Sequence, residues 1–95
     1  MVLSFDRDHV IVPLNVVARP VDGGTVLLNA TTGRYFTLDA IGGRAWAVLT
    51  SSPSLQAAFD TLMSEYHVEP DQLRHDLTEL IDGLAAQGLL EVRHG

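Results

Sequence analysis

The sequence predicts an α+β fold of winged helix-turn-helix type, in which a three-stranded antiparallel sheet is followed by three helices. Two patterns indicate this order. Short β-branched and aromatic runs separated by turn residues fill positions 10 to 38, and apolar residues at helical spacing fill most of the second half. The length of 95 residues suits one domain that buries roughly 60% of its unfolded surface. We expect a single domain over residues 10–95, preceded by a flexible arm over residues 1–9.

The three strands are predicted from β-favouring runs and from the turns between them. The first run, Val10–Val17, contains Pro13, which belongs at a strand start or an edge because it cannot donate a hydrogen bond. An Asp-Gly-Gly turn leads into the second strand, Thr25–Asn29. Gly33 supplies the positive φ of the next hairpin loop, which leads to the third strand, Tyr35–Leu38. In such a meander the first and third strands are the free edges.

Capping residues and apolar stripes delimit the three helices. Asp39 is placed to cap the first helix, and either Ser52 or Ser54 is placed to cap the second. Pro70 opens the third helix, and Gly88 is expected to end it as a left-handed residue. The residues expected to face the core are Ile41, Ala45, Val48 and Leu49, with Trp46 beside them, on the first helix; Leu55, Ala58, Phe59, Leu62, Met63 and Tyr66 on the second; and Leu73, Leu77, Leu80 and Leu84, with Ile81 on the flank, on the third.

Composition and charge exclude several classes of function. The chain has no cysteine, so it offers neither a disulfide framework nor a thiolate metal site. It has no apolar run near the roughly 20 residues that span a bilayer and no signal-peptide pattern, so we expect a cytoplasmic protein without a membrane partner. The net charge of −6 disfavours nucleic acid, and the outward face of the third helix carries His75, Glu79 and Asp82.

No arrangement of side chains in the sequence indicates catalysis. The four histidines, His9, His67, His75 and His94, have no spacing that places two of them on one helical face. The carboxylates Asp71, Asp76 and Glu79 lie close together in sequence, but nothing indicates the cleft that a general acid and base require. We expect a solvated acidic face, no enzymatic activity, no metal and no cofactor.

The ordered set of motifs resembles the PqqD-like family of peptide-recognition domains, the RiPP recognition elements, and most of all the stand-alone versions from lasso-peptide clusters. The similarity spans roughly residues 20–92. The residues that carry it are Leu27-Leu28-Asn29, Thr32-Gly33-Arg34-Tyr35, Leu38-Asp39, Trp46, Asp76-Leu77, Leu80-Ile81, Leu84 and Gly88-Leu89-Leu90.

This resemblance implies a non-catalytic domain that holds the leader segment of a ribosomally synthesised precursor peptide. The leader is expected to add as a strand to the edge of the third predicted strand, in the groove between that strand and the third helix. The resemblance also implies delivery to a leader peptidase of the cysteine-protease type and then to an ATP-dependent cyclase. The expected peptide-binding residues are Arg34, Tyr35, Phe36, Thr37, Leu38, Arg74, Asp76, Leu77, Ile81 and Ala85.

Other interpretations of these residues and of the domain stay open at this point. The apolar members of the set have core packing as the alternative, because alternation along a strand sends only one face outward. For the charged members, Arg34, Arg74 and Asp76, the alternative is a solvated surface charge. The domain itself could instead be a winged-helix adaptor for another protein or a DNA-binding regulator. Self-association through the open sheet edge is a further expectation that the sequence leaves undecided.

Overall fold

The computed structural model describes residues 3–94 of the chain. Its elements are, in chain order, β1 (His9–Ile11), β2 (Val16–Val21), β3 (Gly24–Asn29), β4 (Tyr35–Asp39), α1 (Ala40–Ser51), α2 (Leu55–Glu65), α3 (Pro70–Ala86) and β5 (Glu91–Arg93). The strands β2, β3 and β4 form an antiparallel sheet in that order, and the three helices follow it. The predicted fold class is therefore confirmed.

The first predicted strand, Val10–Val17, is divided in the structure, so its prediction as one element is wrong. The chain breaks at Pro13, whose carbonyl accepts a hydrogen bond from the Val16 N–H at 3.0 Å and so closes a turn. Before the break, β1 pairs with β5 in a separate two-stranded sheet. After the break, β2 takes the place of the first strand of the meander and continues to Val21.

The helices cover one face of the three-stranded sheet. Thr25, Leu27 and Asn29 alternate along β3 as buried residues, and α1 packs over them. The approach is close at Gly43, where an added Cβ would lie only 2.6 Å from the Thr25 hydroxyl oxygen. The opposite face of the sheet carries no helix among the described residues.

The predicted helix caps are confirmed. The Asp39 carboxylate accepts a hydrogen bond from the Gly42 N–H at 2.7 Å, and the Ser54 hydroxyl accepts one from the Ala57 N–H, which decides between the two serines. Pro70 is the first residue of α3. At the other end Gly88 has a φ of 72°, and the Leu89 N–H donates to the Leu84 carbonyl at 2.9 Å, which is a Schellman termination.

Most of the predicted core is buried, but two predicted stripes are displaced. On α1, Ile41 is 67% exposed and lies outside the core. On α3 the fully buried residues are Leu77, Ile81 and Leu84, whereas Leu73 and Leu80 are only half-buried. Ile81 is therefore a central core residue rather than a flanking one.

Residues 3–8 pack against α2, in contrast with the flexible arm expected over residues 1–9. Phe5 is buried and its ring meets the Phe59 ring edge-on, with centroids 6.2 Å apart. The carbonyls of Phe5 and Asp8 accept hydrogen bonds from the first amides of α2, at Gln56 and Leu55. This segment thus satisfies donors at the helix N-terminus that would otherwise lack partners. Met1 and Val2 lie outside the described residues.

Candidate functional site

The strand β4 is an edge strand, and its hydrogen-bonding groups alternate between its neighbour and the free edge. The Asn29 N–H donates to the Arg34 carbonyl at 2.8 Å, which identifies this residue pair as a hydrogen-bonded pair. Because hydrogen-bonded and non-bonded pairs alternate in an antiparallel ladder, Phe36 and Leu38 direct their backbone groups to β3. Tyr35 and Thr37, together with Asp39, direct theirs to the free edge.

The other edge of the sheet, β2, offers fewer donors. The Ala30 N–H donates to the Asn15 carbonyl at 2.8 Å, and this register directs the backbone groups of Val16, Ala18 and Pro20 outward. Of these residues, Pro20 has no N–H, and the Val16 N–H is already bonded to the Pro13 carbonyl. Only Ala18 is left to donate. The edge of β4 is therefore much better suited to accept an additional strand.

Side chains on β4 follow the same alternation. Phe36 and Leu38 lie opposite Leu27 and Thr25, so they point to the helix side of the sheet. Leu38 is buried there, but Phe36 remains 40% exposed because no helix covers the start of the strand. Tyr35 and Thr37 lie on the opposite face, where Tyr35 is 73% exposed.

One pocket lies at the start of β4, and a second lies beside the first turn of α1, which directly follows the end of β4. The first pocket, of about 340 Å³, lies between the start of β4 and the end of α3. The second, of about 290 Å³, lies between the first turn of α1, the α2–α3 connection and the first half of α3. The first is lined by Asn29, Gly33, Arg34, Tyr35, Phe36, Gln87 and Leu89. The second is lined by Ile41, Ala45, Leu62, Tyr66, His67, Val68, Leu73 and Asp76.

Nine of the ten predicted peptide-binding residues, all except Arg74, fall into three groups in the structure. Those that line a pocket or lie exposed on β4 are Arg34, Tyr35, Phe36, Thr37 and Asp76. Those that are buried in the core are Leu38, Leu77 and Ile81, at 5%, 2% and 0% exposure, so they lie beneath the surface rather than on it. Ala85 is half-buried on α3 and lines neither pocket.

Arg74 is placed differently from the expectation. Its guanidinium lies 4.6 Å from the centroid of the Phe5 ring and 4.7 Å from that of the Phe59 ring. It therefore joins α3 to α2 and to the N-terminal segment by cation–π contacts. Neither pocket includes Arg74, because its side chain lies on a different face of α3 from Leu73 and Asp76.

Several pocket residues were not predicted from the sequence. Ile41 was assigned to the core, although an apolar residue in the first turn after a capping Asp can also remain exposed. Asn29 is buried, and its side-chain oxygen accepts hydrogen bonds from the amides of Thr31 and Thr32, so it shapes the hairpin loop beside the first pocket. This role of Asn29 could have been predicted from the Asn-Ala-Thr-Thr-Gly sequence, because Asn side chains commonly accept hydrogen bonds from backbone amides about two residues later in a turn.

An ion pair joins α1 to α2 at residues next in sequence to Ala45 and Tyr66 of the second pocket. Arg44 on α1 donates from Nε to the Glu65 carboxylate on α2 at 2.9 Å, and a second guanidinium nitrogen bonds to the other oxygen. The hydrogen bonds from Arg44 hold the pKa of the Glu65 carboxyl below its ordinary value, and those to Glu65 raise the pKa of Arg44. Among residues 3–94 no group of three or more possible ligands could hold a metal ion, and no helix is long and apolar enough to cross a membrane.

A three-stranded meander with a donor-rich free edge, flanked by two pockets, defines a small winged-helix-like recognition domain. Residues 24–90 match the family model described as coenzyme PQQ synthesis protein D (PqqD). The chain belongs to the PqqD family, and it is a PqqD-like RiPP recognition element.

Two solved structures are similar to this chain. One is described as TbiB1 in complex with the TbiA(beta) leader peptide; it is 35% identical, with 84% of this chain and 93% of that chain covered and a TM-score of 0.78. The other is described as lasso peptide synthetase B1 complexed with the leader peptide. It is 24% identical, with 87% of this chain and 98% of that chain covered and a TM-score of 0.79. At this identity the match shows a similar fold. No curated protein matches this sequence.

Proposed function

We propose that this chain binds the leader segment of a ribosomally synthesised precursor peptide in lasso-peptide biosynthesis. The observation that carries the proposal is the free edge of β4, with unshared donors at Tyr35 and Thr37 and a pocket at each end. The leader adds as a strand to this edge and lies in the groove between β4 and α3. Both similar structures are described as complexes with a leader peptide, which supports this choice of guest.

The backbone of β4 supplies the sequence-independent part of the affinity. Each main-chain hydrogen bond to an added strand contributes roughly 0.5–1.5 kcal/mol net, and β4 is long enough for several. Ordering a flexible leader costs about 2–5 kcal/mol, which offsets most of that gain. Hydrogen bonds along the edge are thus too weak to hold the leader alone, and the pockets must add to them.

The two pockets supply the part of the affinity that depends on leader sequence. An apolar side chain buried in one of them contributes about 1.5–3 kcal/mol, so two anchors give micromolar to nanomolar binding. The second pocket presents mainly apolar walls from Ile41, Leu62 and Leu73 and fits an aliphatic or aromatic anchor. The first combines the Phe36 ring with the polar groups of Arg34 and Gln87, which favours a side chain that also accepts hydrogen bonds.

Of the expected binding residues, we propose that Arg34, Tyr35, Phe36, Thr37 and Asp76 contact the leader directly. Leu38, Leu77 and Ile81 support the groove from beneath, because they are buried under it. We propose that Ala85, which is half-buried near the end of α3, forms part of the wall of the groove. Arg74 positions α3 through the rings of Phe5 and Phe59 rather than through contact with the guest.

The domain carries out no chemistry of its own and hands the bound precursor to other proteins. These are a leader peptidase of the cysteine-protease type, which removes the leader, and then a cyclase that closes the core peptide. The precursor is made on ribosomes, so we place this step in the cytoplasm.

The test is a fluorescence-anisotropy titration of the purified protein with a labelled leader peptide from its own precursor. A scrambled leader and a random DNA duplex of matched length are the controls. We expect saturable, micromolar or tighter binding of the leader alone. Equal binding of the scrambled peptide would contradict recognition through the pockets, and preferred binding of the duplex would instead support the DNA-binding alternative.

A further inference from the structure

Each of the two pockets near β4 contains one arginine or aspartate, and the two charges are opposite in sign. In the first pocket this residue is Arg34, which lies beside the neutral side chains of Asn29 and Gln87. In the second pocket it is Asp76, and no arginine lines that pocket. The site therefore has a cation at the start of β4 and a carboxylate in the pocket beyond its end.

Neither charge is neutralised within the part of the chain that the structure describes. Among residues 3–94 the ion pairs are formed by other residues, so no carboxylate lies within 4.0 Å of the Arg34 guanidinium and no guanidinium lies that close to Asp76. The Asp76 carboxylate accepts a hydrogen bond from the neutral Gln72 amide at 2.8 Å. Both charged residues are exposed, so each is available to pair with a charged residue of a guest.

The C-terminus of α3 does not cancel the positive charge of the first pocket. A helix C-terminus carries about half a negative charge, because its last four carbonyls lack partners within the helix. In α3 the carbonyls of Gly83, Leu84 and Ala85 accept hydrogen bonds from the amides of residues 87–89. These bonds satisfy most of the terminal carbonyls, so the full charge of Arg34 sets the sign of the pocket.

Backbone hydrogen bonds alone do not fix how a strand lies along a free edge. The outward groups of β4 recur at every second residue, so a guest that slips by two residues restores the same hydrogen bonds. Apolar side chains at alternate positions also fit an apolar pocket before and after such a slip. Charged residues differ, because only one register and one direction bring a leader carboxylate to Arg34 and a leader cation to Asp76.

The positions of the two pockets predict the spacing of these charges in the leader. Arg34 pairs with the buried Asn29, so its side chain lies on the helix side of the sheet. From Arg34 to the start of α1 at Ala40 the chain rises by about 20 Å, and leader side chains that face the helices recur at every second position, so the two that reach the pockets lie roughly four or six residues apart. This separation exceeds the screening length of about 8 Å at physiological salt, so each charge acts on its own leader residue.

We propose that Arg34 and Asp76 fix the direction and register of the leader on β4, by pairing with an acidic and a basic leader residue roughly four or six positions apart. This inference rests on the proposed function. It adds to it the charge pattern by which the domain distinguishes its own leader from other extended peptides. The basic residue lies next to the apolar anchor of the second pocket, and the acidic residue lies over the first.

The experiment exchanges the two charges on each partner and leaves both net charges unchanged. The protein variant combines Arg34→Glu with Asp76→Lys. The peptide variant is a labelled synthetic leader of the protein's own precursor in which an acidic and a basic residue at the expected spacing trade places, each such pair in turn. The matched control combines Arg7→Glu with Asp60→Lys: Arg7 is exposed outside the site, and the exposed Asp60 accepts a hydrogen bond from a glutamine four residues earlier, as Asp76 does.

Fluorescence anisotropy measures each affinity, and circular dichroism checks each fold. We expect the double variant to bind the native leader at least about tenfold more weakly than wild type, and wild type to bind the exchanged leader more weakly by a similar factor. The double variant and the exchanged leader should bind each other within about threefold of the native pair, because the two losses are not additive. The control variant should stay within about twofold of wild type.

The possible results separate this inference from the proposed function. Wild-type affinity of the folded double variant for the native leader would overturn the inference. So would weak binding between the double variant and every exchanged leader, or a native leader without an acidic and a basic residue at either spacing. The exchanged leaders on the wild-type protein give the same decision without any change to the fold, since unchanged affinity for all of them rejects the charge pattern. Failure of the wild-type protein to bind its native leader would instead overturn the proposed function.

Discussion

At the scale of single residues, the structure assigns different tasks to side chains that the sequence presents as equivalent. Arg34 and Arg74 both read as exposed charges near a groove. Arg34 lines the first pocket, whereas Arg74 stacks over two phenylalanine rings away from both pockets. The sequence could not separate them, because the position of Arg74 depends on Phe5, a residue far away in the chain that was expected to be flexible.

Substitution of Arg74 should therefore lower stability more than leader affinity. Arg74→Gln removes two cation–π contacts, each about 0.5–1 kcal/mol at an exposed site. We expect a loss of about 1–2 kcal/mol in urea unfolding and a leader dissociation constant within twofold of wild type. The matched variant Arg34→Gln should weaken leader binding and leave the free energy of unfolding close to that of wild type. A large loss of affinity in Arg74→Gln without loss of stability would return Arg74 to the binding site.

Asp8 gives the protein a carboxylate whose charge stabilises the fold. It is buried, its Oδ2 accepts a hydrogen bond from the Ser4 N–H at 2.9 Å, and its Oδ1 lies 2.8 Å from Nδ1 of His94. The hydrogen bonds from Ser4 and then His94 lower the pKa of Asp8 below its ordinary value of 3.8. When the pKa of a carboxyl group is lower in the folded state than in the unfolded state, its charge stabilises the folded state at every pH above the ordinary pKa. This stabilisation is lost as the pH falls through the lowered value.

The variant Asp8→Asn tests this directly. We expect it to be less stable than wild type at pH 7 in urea unfolding. The difference should begin to shrink as the pH falls below about 4, where the carboxyl of the unfolded chain takes up protons, and it should vanish once the pH has fallen through the lowered pKa of the folded state. A difference that stays constant between pH 7 and pH 3 would show that the charge of Asp8 is not the cause.

Trp46 has the largest side chain among the buried hydrophobic residues of the core. It was predicted to lie between α1 and its neighbours, and it is 5% exposed in the structure. Trp46→Ala should cost about 3–5 kcal/mol, enough to unfold a domain of this size. Trp46→Phe is the milder comparison. A loss below 1 kcal/mol in denaturant melts would contradict the burial of Trp46.

At the scale of elements, the sequence predicted helix caps and turns most reliably, because each of these needs a particular residue type at one backbone position. The caps at Asp39 and Ser54 and the left-handed Gly33 and Gly88 are all found as predicted. The prediction failed at β1 and β5, which are three residues each and exist only because they pair with each other across the whole chain. Such short, non-local pairs leave no periodic pattern in the sequence.

Substitutions at two glycines near the end of α3 should change the stability of the protein in opposite directions. Gly88→Ala should destabilise by about 1 kcal/mol, because its φ of 72° disfavours any residue with a Cβ, although no atom lies closer than 3.7 Å to that Cβ. Gly83→Ala lies inside the helix with open space around it and should stabilise by roughly 0.5–1 kcal/mol. The sign of the two changes in thermal unfolding is the test. Stabilisation by Gly88→Ala would contradict the left-handed conformation at Gly88, and destabilisation by Gly83→Ala would contradict the open space around Gly83.

At the scale of the whole molecule, the proposed function depends on a difference between the two edges of the sheet. The sequence predicted which strands are edges, but it could not show that they differ in available donors. That difference arises from Pro20 and from the turn at Pro13 that occupies the Val16 N–H. The groove was also only partly predictable, because Leu38, Leu77 and Ile81 lie under it while Ile41 and Leu73 line its pocket.

The most direct test of strand addition is leader binding by two proline variants, one on each edge. Thr37→Pro removes an outward N–H from β4, and Ala18→Pro removes the outward N–H of β2. Both positions lie on free edges, so circular dichroism should show a native fold in each case. Phe36 directs its N–H to β3, so Phe36→Pro should damage the fold. This variant shows what circular dichroism reports when a proline breaks the sheet. We predict that anisotropy will show leader affinity at least about tenfold weaker for Thr37→Pro, from the lost hydrogen bond and the altered edge, and unchanged for Ala18→Pro. Native leader affinity in a folded Thr37→Pro variant would contradict strand addition at β4.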